Sequence, residues 1–476
     1  MTLKNLIPNI QEEFANLNIT DVTCDSRKVS DGCLFVCING TSFDGHNYAQ
    51  NAVEKGAAAV IAERDTGVKS QIIVPDTHKL YANICANWFG NPADSLKLIG
   101  VTGTNGKTSV SYMLKSILEH AGYKVGLIGT IQNMIADEII AAKNTTPDAY
   151  ELNRLFSLMK QKGCSYAVME VSSHALDQKR VCDLEFEVGI FTNLTQDHLD
   201  YHLTMENYLA AKKRLFKMCK TAVVNSDDKH WEELVKDLDC KVLTYSCGDN
   251  STYSAKAVKF YPSCVEYELV SNSFLQHIEV NTGGKFTVYN SMCAAVAASQ
   301  LGIDIADVAV GLSEMKGVKG RAEALQTDRD FTVIIDYAHT PDGLKNILST
   351  FKDCKRNRVI VLFGCGGDRD KTKRPIMGSI AVRYSDYVIV TSDNPRSEEP
   401  MAIIKDILVG CEGTQTPVKV IENRIEAIKY AISIAQKDDI IVLAGKGHET
   451  YQILKEGTIH LDEREVVAEA LKAVKK

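Results

Sequence analysis

The sequence predicts an α/β protein of three domains. They are a small N-terminal α/β domain over residues 1–97, a central P-loop domain over 98–325, and a C-terminal Rossmann-like α/β domain over 326–476. Three observations lead there. A chain of 476 residues exceeds the usual size of one domain, about 150 residues, roughly threefold. Short runs of β-branched residues alternate with helical segments, the pattern of parallel sheets covered by helices. One glycine-rich turn joins a buried strand to a helix, as a phosphate-binding loop does. Composition sets outer limits: 45% hydrophobic and 24% charged residues describe an ordinary globular chain. The net charge of −7, from 54 Lys and Arg against 61 Asp and Glu, offers no general field for nucleic acid or an anionic membrane. Any polyanion must be met by placed residues.

In the first domain the runs Cys33-Leu-Phe-Val-Cys-Ile38, Ala57-Ala-Ala-Val-Ile-Ala62 and Gln71-Ile-Ile-Val-Pro75 read as strands, with Asn39-Gly40 as a turn. Cys33 and Cys37 fall on one face of their strand, but two ligands make no zinc site. The fourteen cysteines include no CxxC pair, and residues 1–8 lack the apolar stretch of a signal peptide. Reduced thiols and a cytoplasmic protein are expected. No apolar run reaches the roughly 18 residues that span a bilayer, so no membrane insertion is expected.

A polar stretch from Asn91-Pro92 to Leu96 precedes the run Leu98-Ile-Gly-Val-Thr102 and places the first boundary near residue 97. The runs Ala167-Val-Met169, Val188-Gly-Ile-Phe-Thr192 and Thr221-Ala-Val-Val-Asn225 continue a parallel sheet. The near-alternating runs Tyr267–Val270, His277–Val280 and Phe286–Tyr289 predict an antiparallel annex. The third block holds four runs, Phe331–Ile335, Arg358–Phe363, Tyr387–Thr391 and Ile440–Ala444. Each leads into a Gly, Asp or His cluster, and ligands of open α/β sheets bind beyond those strand ends.

The segment Leu98-Ile-Gly-Val-Thr-Gly-Thr-Asn-Gly-Lys-Thr108 carries the first chemistry. Val110, Met113, Leu114, Ile117 and Leu118 recur at helical spacing, and Gly122 stops the helix. Gly103 and Gly106 let backbone N–H groups converge on phosphate oxygens, Lys107 reaches the β/γ phosphates, and Thr108 is placed for Mg²⁺. The strict spacing is broken, because Val101 stands where the first glycine belongs. Strand before and helix after restore the reading as an ATP loop. Glu170 closes the run Ala167-Val-Met-Glu170, where a carboxylate can hold Mg²⁺. His198 lies in Thr192-Asn-Leu-Thr-Gln-Asp-His198 after another strand end. The helix bearing Ala211-Lys-Lys-Arg-Leu-Phe216 reads by spacing only as a solvated basic face.

Taken in order, these segments resemble the Mur ligases, ATP-dependent amide-forming enzymes of peptidoglycan synthesis related to folylpolyglutamate synthetases. The resemblance rests on Gly103–Thr108, Met169-Glu-Val-Ser-Ser-His174, Thr192–His198, Ala211-Lys212, Tyr289-Asn290, Gly320-Arg321 and Asp336-Tyr-Ala-His-Thr-Pro341. It reaches the N-terminus through Asp25-Ser-Arg27, Gly32-Cys-Leu-Phe-Val36 and Asp44-Gly-His46, which are similar to the member that adds the third peptide residue. The resemblance implies a UDP-sugar-binding first domain, a central ATP-binding domain and an amino-acid-binding third domain. Gly103, Thr104, Asn105, Gly106, Lys107, Thr108, Asn290, Arg321, Asp336 and His339 would bind ATP. Thr108, Glu170, His198 and Lys212 would hold Mg²⁺, with Lys212 carbamylated, and Lys107, Glu170, His198 and Lys212 would carry catalysis. Ser26, Thr145, Thr146, Ser172 and Arg180 would bind UDP-N-acetylmuramoyl-L-alanyl-D-glutamate. A monomer acting on small molecules is expected. Two departures are present: Lys319 stands where the family has proline before Gly-Arg, and Thr287 replaces an asparagine three residues before Asn290.

The segment Ser392-Asp-Asn-Pro-Arg-Ser-Glu-Glu-Pro400 bears on the amino acid. Relatives that add meso-diaminopimelate carry Asp-Asn-Pro-Arg; those that add lysine lack the arginine. Diaminopimelate exceeds lysine by one carboxylate, which a guanidinium can grip through two charge-assisted hydrogen bonds. Lysine would leave that fork unmatched, a costly mismatch in a buried site. By resemblance Arg369, Asp393, Asn394, Pro395, Arg396, Gly445 and Glu449 line this pocket. Meso-lanthionine keeps both carboxylates and both amines and fits the same residues. The expected reaction is acyl-phosphate formation with ATP followed by attack of the amine. A folylpolyglutamate-synthetase-like ligase and a P-loop switch ATPase are the alternatives; the latter leaves Asp336–Pro341 and Gly445–Glu449 without a task.

Overall fold

The computed structural model describes residues 1–40, 43–248 and 250–473. The chain divides into two compact units, Met1–Gly103 with Leu118–Leu243, and Thr104–Ile117 with Thr244–Lys476.

The first unit opens on a four-stranded parallel sheet, in the order Val22–Thr23, Leu34–Val36, Ala59–Ala62 and Gln71–Ile73. Side chains alternate across a strand, and here each face has its own core. Leu34, Val36, Ala59 and Ile61 pack under Leu3, Leu6 and Ile84. Cys33, Phe35, Cys37, Val60 and Ala62 pack on the other side with Ala49 and Ala52, so Cys33 and Cys37 do share a face. None of the fourteen cysteines is joined in a disulfide. Helix Thr77–Trp88 is capped by Asp76, whose side chain accepts from the Lys79 amide at 2.9 Å.

The same unit carries five adjacent parallel strands, Cys219–Asn225, Phe186–Phe191, Lys97–Thr102, Tyr166–Glu170 and Val125–Ile128. Antiparallel strands Gln132–Ile135 and Glu138–Ala141 follow. Register positions the site. Val101 pairs with Glu170 and Thr102 with Phe191, so three neighbouring strands end together where the glycine loop, Glu170 and the Thr192–His198 segment begin. Helix Lys107–His120 follows the loop, and Gly122 ends it in the left-handed region at φ 85°.

In the second unit Tyr253–Phe260, Val265–Val270 and Leu275–Val280 form the expected antiparallel annex. Phe286–Tyr289 does not belong to it. These residues start helix Lys285–Gln300 after the Gly283-Gly284 break. Phe, Thr, Val and Tyr favour strands in isolation, but here the Ala294–Ala298 run propagates a helix that is buried on nearly every side. A helix covered all round shows no polar face, so its period is hidden.

The C-terminal sheet runs Glu323–Leu325, Thr332–Asp336, Ile440–Ala444, Val359–Phe363, Tyr387–Val390 and Val418–Val420. The first pair is antiparallel and the rest are parallel. One core lies on each face: Ile334, Val361 and Val388 point to one, Ile335, Leu362 and Ile389 to the other. The two-sided burial explains why these strands read as unbroken apolar runs. Among the described residues no helix is long and apolar enough to cross a membrane.

Candidate active site

The phosphate loop is shaped by two glycines that tolerate no side chain. Gly103 has φ 145°, and a Cβ there would run into the Thr192 hydroxyl. Gly106 has φ 90°, and its Cβ would run into the Asn290 carboxamide. Such close approach of other groups to backbone is what leaves N–H groups open to an anion. Lys107 donates to the Thr104 carbonyl at 2.9 Å, and Asn105 to Asp342 at 3.2 Å. Thr108 is buried, with Arg321 Nη2 3.4 Å from its hydroxyl.

Arg321 lies over the Tyr337 ring at 4.8 Å, and that ring also meets His339 and His448, with centroids 4.7 and 5.0 Å apart. Asp336 accepts from the Ala322 and Ala338 amides at 2.7 and 2.8 Å, which fixes the turn that carries Arg321. Burial raises the Asp336 pKa against these bonds and the Arg321 charge. Burial, with Arg321, Arg464 and Lys319 nearby, holds His448 down at about 4, so the imidazole is neutral at pH 7. His339 is exposed and bonds through Nδ1 to the Tyr337 carbonyl at 2.8 Å. Asn105, Lys107, Thr108, Asn290, Arg321, Asp336 and His339 thus all belong to one compact unit.

In the other unit Glu170 is 1% exposed, and its two oxygens accept from the Thr130 amide and hydroxyl, each at 2.9 Å. Thr130 reaches the Thr145 hydroxyl at 3.1 Å. The Thr146 hydroxyl donates to the Glu170 carbonyl at 2.8 Å and accepts from the Ser172 amide at 3.0 Å. Arg180 donates to the Thr146 carbonyl at 2.9 Å and grips Gln178 with two nitrogens. Thr145, Thr146, Ser172, Arg180 and Glu170 are therefore one hydrogen-bonded group. Ser26 is not part of it; its carbonyl accepts from Lys55 at 2.7 Å. Asp44 and His46, bonded at 2.6 Å, link the loop after Leu34–Val36 to Glu63, whose amide donates to His46 Nε2 at 2.9 Å.

His198 adopts the left-handed region at φ 54° and packs edge-on to His174 at 4.8 Å. His202 stacks on Tyr208 at 5.1 Å, and Tyr208 also lies under Lys212 Nζ at 4.4 Å. Burial and the neighbouring histidines hold His174 down at about 4. Lys212 is 1% exposed and donates to the Gly103 carbonyl at 3.0 Å. Its helix, Met205–Phe216, therefore turns this lysine inward rather than onto a solvated basic face. Among the described residues no group of three or more His, Cys, Asp or Glu could hold a metal by itself. Glu170, His198 and Lys212, all of the first unit, would instead suit an ion completed by phosphate oxygens, the usual condition of Mg²⁺. Glu170 suits such a hard cation; Lys212 suits it only once its charge is inverted.

The third cluster lies past the carboxyl ends of the C-terminal strands. Asn394 donates to Glu449 at 2.9 Å and accepts from Lys446 at 3.1 Å and from the Ile453 amide at 2.9 Å. Lys446 is fully buried and bonds Glu449 at 2.8 Å. Arg396 has φ 53°, and its Nη1 donates to the Gly367 carbonyl at 2.8 Å. Gly445, at φ 116°, lets Asp393 approach; a Cβ there would sit 2.6 Å from Oδ2. The next loop is tied in by Glu398, which accepts from the Asp368 amide at 2.7 Å and pairs with buried Arg374 at 2.8 Å. That pairing holds the Glu398 carboxyl down at about 2. Pro395 approaches Gly367. Arg369 is exposed and donates to the Asp368 carbonyl at 3.0 Å.

Sequence reasoning missed Thr130, Gln178, His174, His202, Tyr208 and Lys446. Lys446 and His174 lie in segments already singled out by motif, but only packing reveals their partners. Thr130 had no local signal.

Comparison with known proteins bears on all three clusters. Residues 18–91 match the catalytic domain of the Mur ligase family, 101–298 the Mur ligase middle domain, and 320–447 the Mur ligase glutamate ligase domain. UDP-N-acetylmuramoyl-L-alanyl-D-glutamate–2,6-diaminopimelate ligase of Caldanaerobacter subterraneus subsp. tengcongensis is 48% identical over 479 residues, covering 99% of each chain. The corresponding ligase 1 of Clostridium acetobutylicum is 48% identical over 485 residues, again with 99% of each covered. A solved structure of a ligase of that same name is 33% identical and superposes with a TM-score of 0.74 over 99% of both chains.

Proposed function

The chain belongs to the Mur ligase family, and from that premise we propose that it joins meso-diaminopimelate to UDP-N-acetylmuramoyl-L-alanyl-D-glutamate with cleavage of ATP to ADP and phosphate. It acts in peptidoglycan synthesis, as a monomer in the cytoplasm. Residues 1–97 take the UDP-sugar, 98–325 take ATP, and 326–476 take the amino acid.

The chemistry asks two anions to meet. The γ-phosphoryl group passes to the sugar-peptide carboxylate; a P–O bond forms to that oxygen as the bond to the ADP oxygen breaks. The neutral diaminopimelate amine then attacks the acyl carbon, and as the amide forms the C–O bond breaks and phosphate leaves, carrying the proton the amine gives up. No covalent nucleophile of the protein is required, so its work is placement and charge stabilisation. Gly103–Gly106 offer backbone N–H groups to the phosphates, and Lys107 and Arg321 oppose their charge. Mg²⁺, when bound, neutralises phosphate charge and polarises the P–O bonds. Glu170 with Thr108 and His198 would hold it. Lys212 would join them as a carbamate, its amine having taken up CO₂ and released a proton. Thr145, Thr146, Ser172 and Arg180 hold the peptide end of the sugar-nucleotide, and Ser26 its nucleotide end.

The observation that supports diaminopimelate best is the polar cluster of Asn394, Lys446 and Glu449 beside Arg396. It sets a carboxylate for the distal ammonium near a guanidinium for the distal carboxylate. The test is incubation of the protein with ATP, Mg²⁺ and the UDP-sugar dipeptide, offering diaminopimelate, lysine, meso-lanthionine or ornithine. Mass spectrometry is expected to find the diaminopimelate tripeptide as the main product, with phosphate release dependent on both substrates. Release without them, or lysine used as readily, would overturn the reading.

A further inference from the structure

Beneath the amino-acid pocket lies a guanidinium that the reaction does not use. Arg424 opens helix Arg424–Ser433 and is 1% exposed. Its Nη2 donates to the Ala444 carbonyl at 2.9 Å, and its Nη1 lies 3.5 Å from the Ser392 carbonyl and 3.9 Å from Asp393 Oδ2. Its Nε donates at 2.9 Å to Glu463, a fully buried carboxylate that opens the last helix. Ala444 ends the strand that feeds Gly445–Glu449, and Ser392 feeds Asp393–Arg396. One fork therefore spans the roots of both loops that make the pocket.

Stability alone is a poor reason for such a pair. Burying an arginine and a glutamate costs desolvation that their attraction barely offsets, and apolar replacements of similar volume are often neutral or better. What a fork supplies and an apolar side chain does not is fixed distance between carbonyls on separate strands. The contact between Gly445 and Asp393 leaves little slack, so a shift of one loop is passed to the other.

We infer that Arg424, braced by Glu463, is a positioning residue for amino-acid selection: it sets the spacing between the Asp393–Arg396 and Gly445–Glu449 loops, and so the fit of diaminopimelate. The inference rests on the substrate reading above. The test compares the parent with Arg424→Met combined with Glu463→Leu, which removes both charges together, and with Arg424→Lys, which keeps a cation against Glu463. In the double variant KM for diaminopimelate is expected to rise at least about tenfold, with KM for ATP and for the UDP-sugar dipeptide held within about twofold. Preference for diaminopimelate over lysine should fall in parallel. Arg424→Lys should move the same constant about three- to tenfold, since a point charge cannot bridge the carbonyls. It decides the matter if the double variant does not fold. An unchanged KM for diaminopimelate, or equal rises in all three constants, overturns the inference. A parent that joins another amino acid sinks the substrate reading instead; the variant-to-parent ratio for that amino acid still decides on Arg424.

Discussion

At the phosphate loop the groups offered to a ligand are backbone N–H groups, reachable because Gly103 and Gly106 carry nothing that Thr192 and Asn290 would collide with. In the proposed amino-acid pocket they are side chains, and Asn394, Lys446 and Glu449 are already bonded to one another. The first arrangement fails when atoms are added, the second when atoms are removed. A backbone site binds a shape common to all nucleotides, whereas a network of side chains distinguishes one amino acid from another.

The contrast is broken most severely at Lys212, a side chain that donates to the carbonyl of the loop's first glycine. Lys212→Ala is expected to lower turnover by about 100- to 1000-fold, as loss of a central charge-placing group does elsewhere. Short-chain carboxylic acids should restore part of it by standing in for the proposed carbamate. Full activity of the alanine variant would make the loop a purely backbone device.

Next in size is Gly103→Ala, an addition of one methyl. The left-handed φ and the collision with Thr192 should cost about 1–3 kcal/mol and be visible as a lower melting temperature. They should lower kcat/KM for ATP by about tenfold or more, since misplaced N–H groups lose the phosphate. A variant with wild-type ATP kinetics would show that the loop has room.

Arg396→Ala is the matching removal. KM for diaminopimelate is expected to rise about tenfold, through loss of a charge-assisted contact, with KM for ATP nearly unchanged. Equal rises in both would remove Arg396 from amino-acid recognition.

The smallest effect concerns protons. His448 sits at about 4 in the folded chain against 6.5 when free, so between those values the unfolded chain binds more protons. Its contribution is intact above about pH 6.5 and is lost as pH falls toward 4. Melting temperature should therefore drop between pH 7 and 5 by more in the parent than in His448→Gln. Parallel curves would show that His448 is charged or exposed.

The same contrast explains what could be read from sequence. The glycine loop is contiguous, so its residues name their own partners, and even the displaced first glycine at Val101 did not hide it. Strands buried on both faces announced themselves as apolar runs. Helix Lys285–Gln300 did not, because a helix without a wet side has no visible period. Side-chain networks were legible only as far as a motif extended: Asn394 and Glu449 could be placed in a pocket by resemblance, but their bond across 55 positions could not. The inward turn of Lys212 was likewise invisible, since a lysine in a basic stretch looks the same whether it faces water or the ring of Tyr208.

Arg396 adopts a left-handed backbone at φ 53° directly after Pro395. That conformation costs any residue with a Cβ about 1 kcal/mol or more, and asparagine somewhat less. The burden belongs to the loop and not to the guanidinium, so exchanging the side chain for another with a Cβ, asparagine and aspartate apart, leaves it nearly as it was. On the proposed reading, selection of the amino acid at residue 396 could therefore change by a single substitution without first rebuilding the turn, which makes this position an inexpensive point of evolutionary departure.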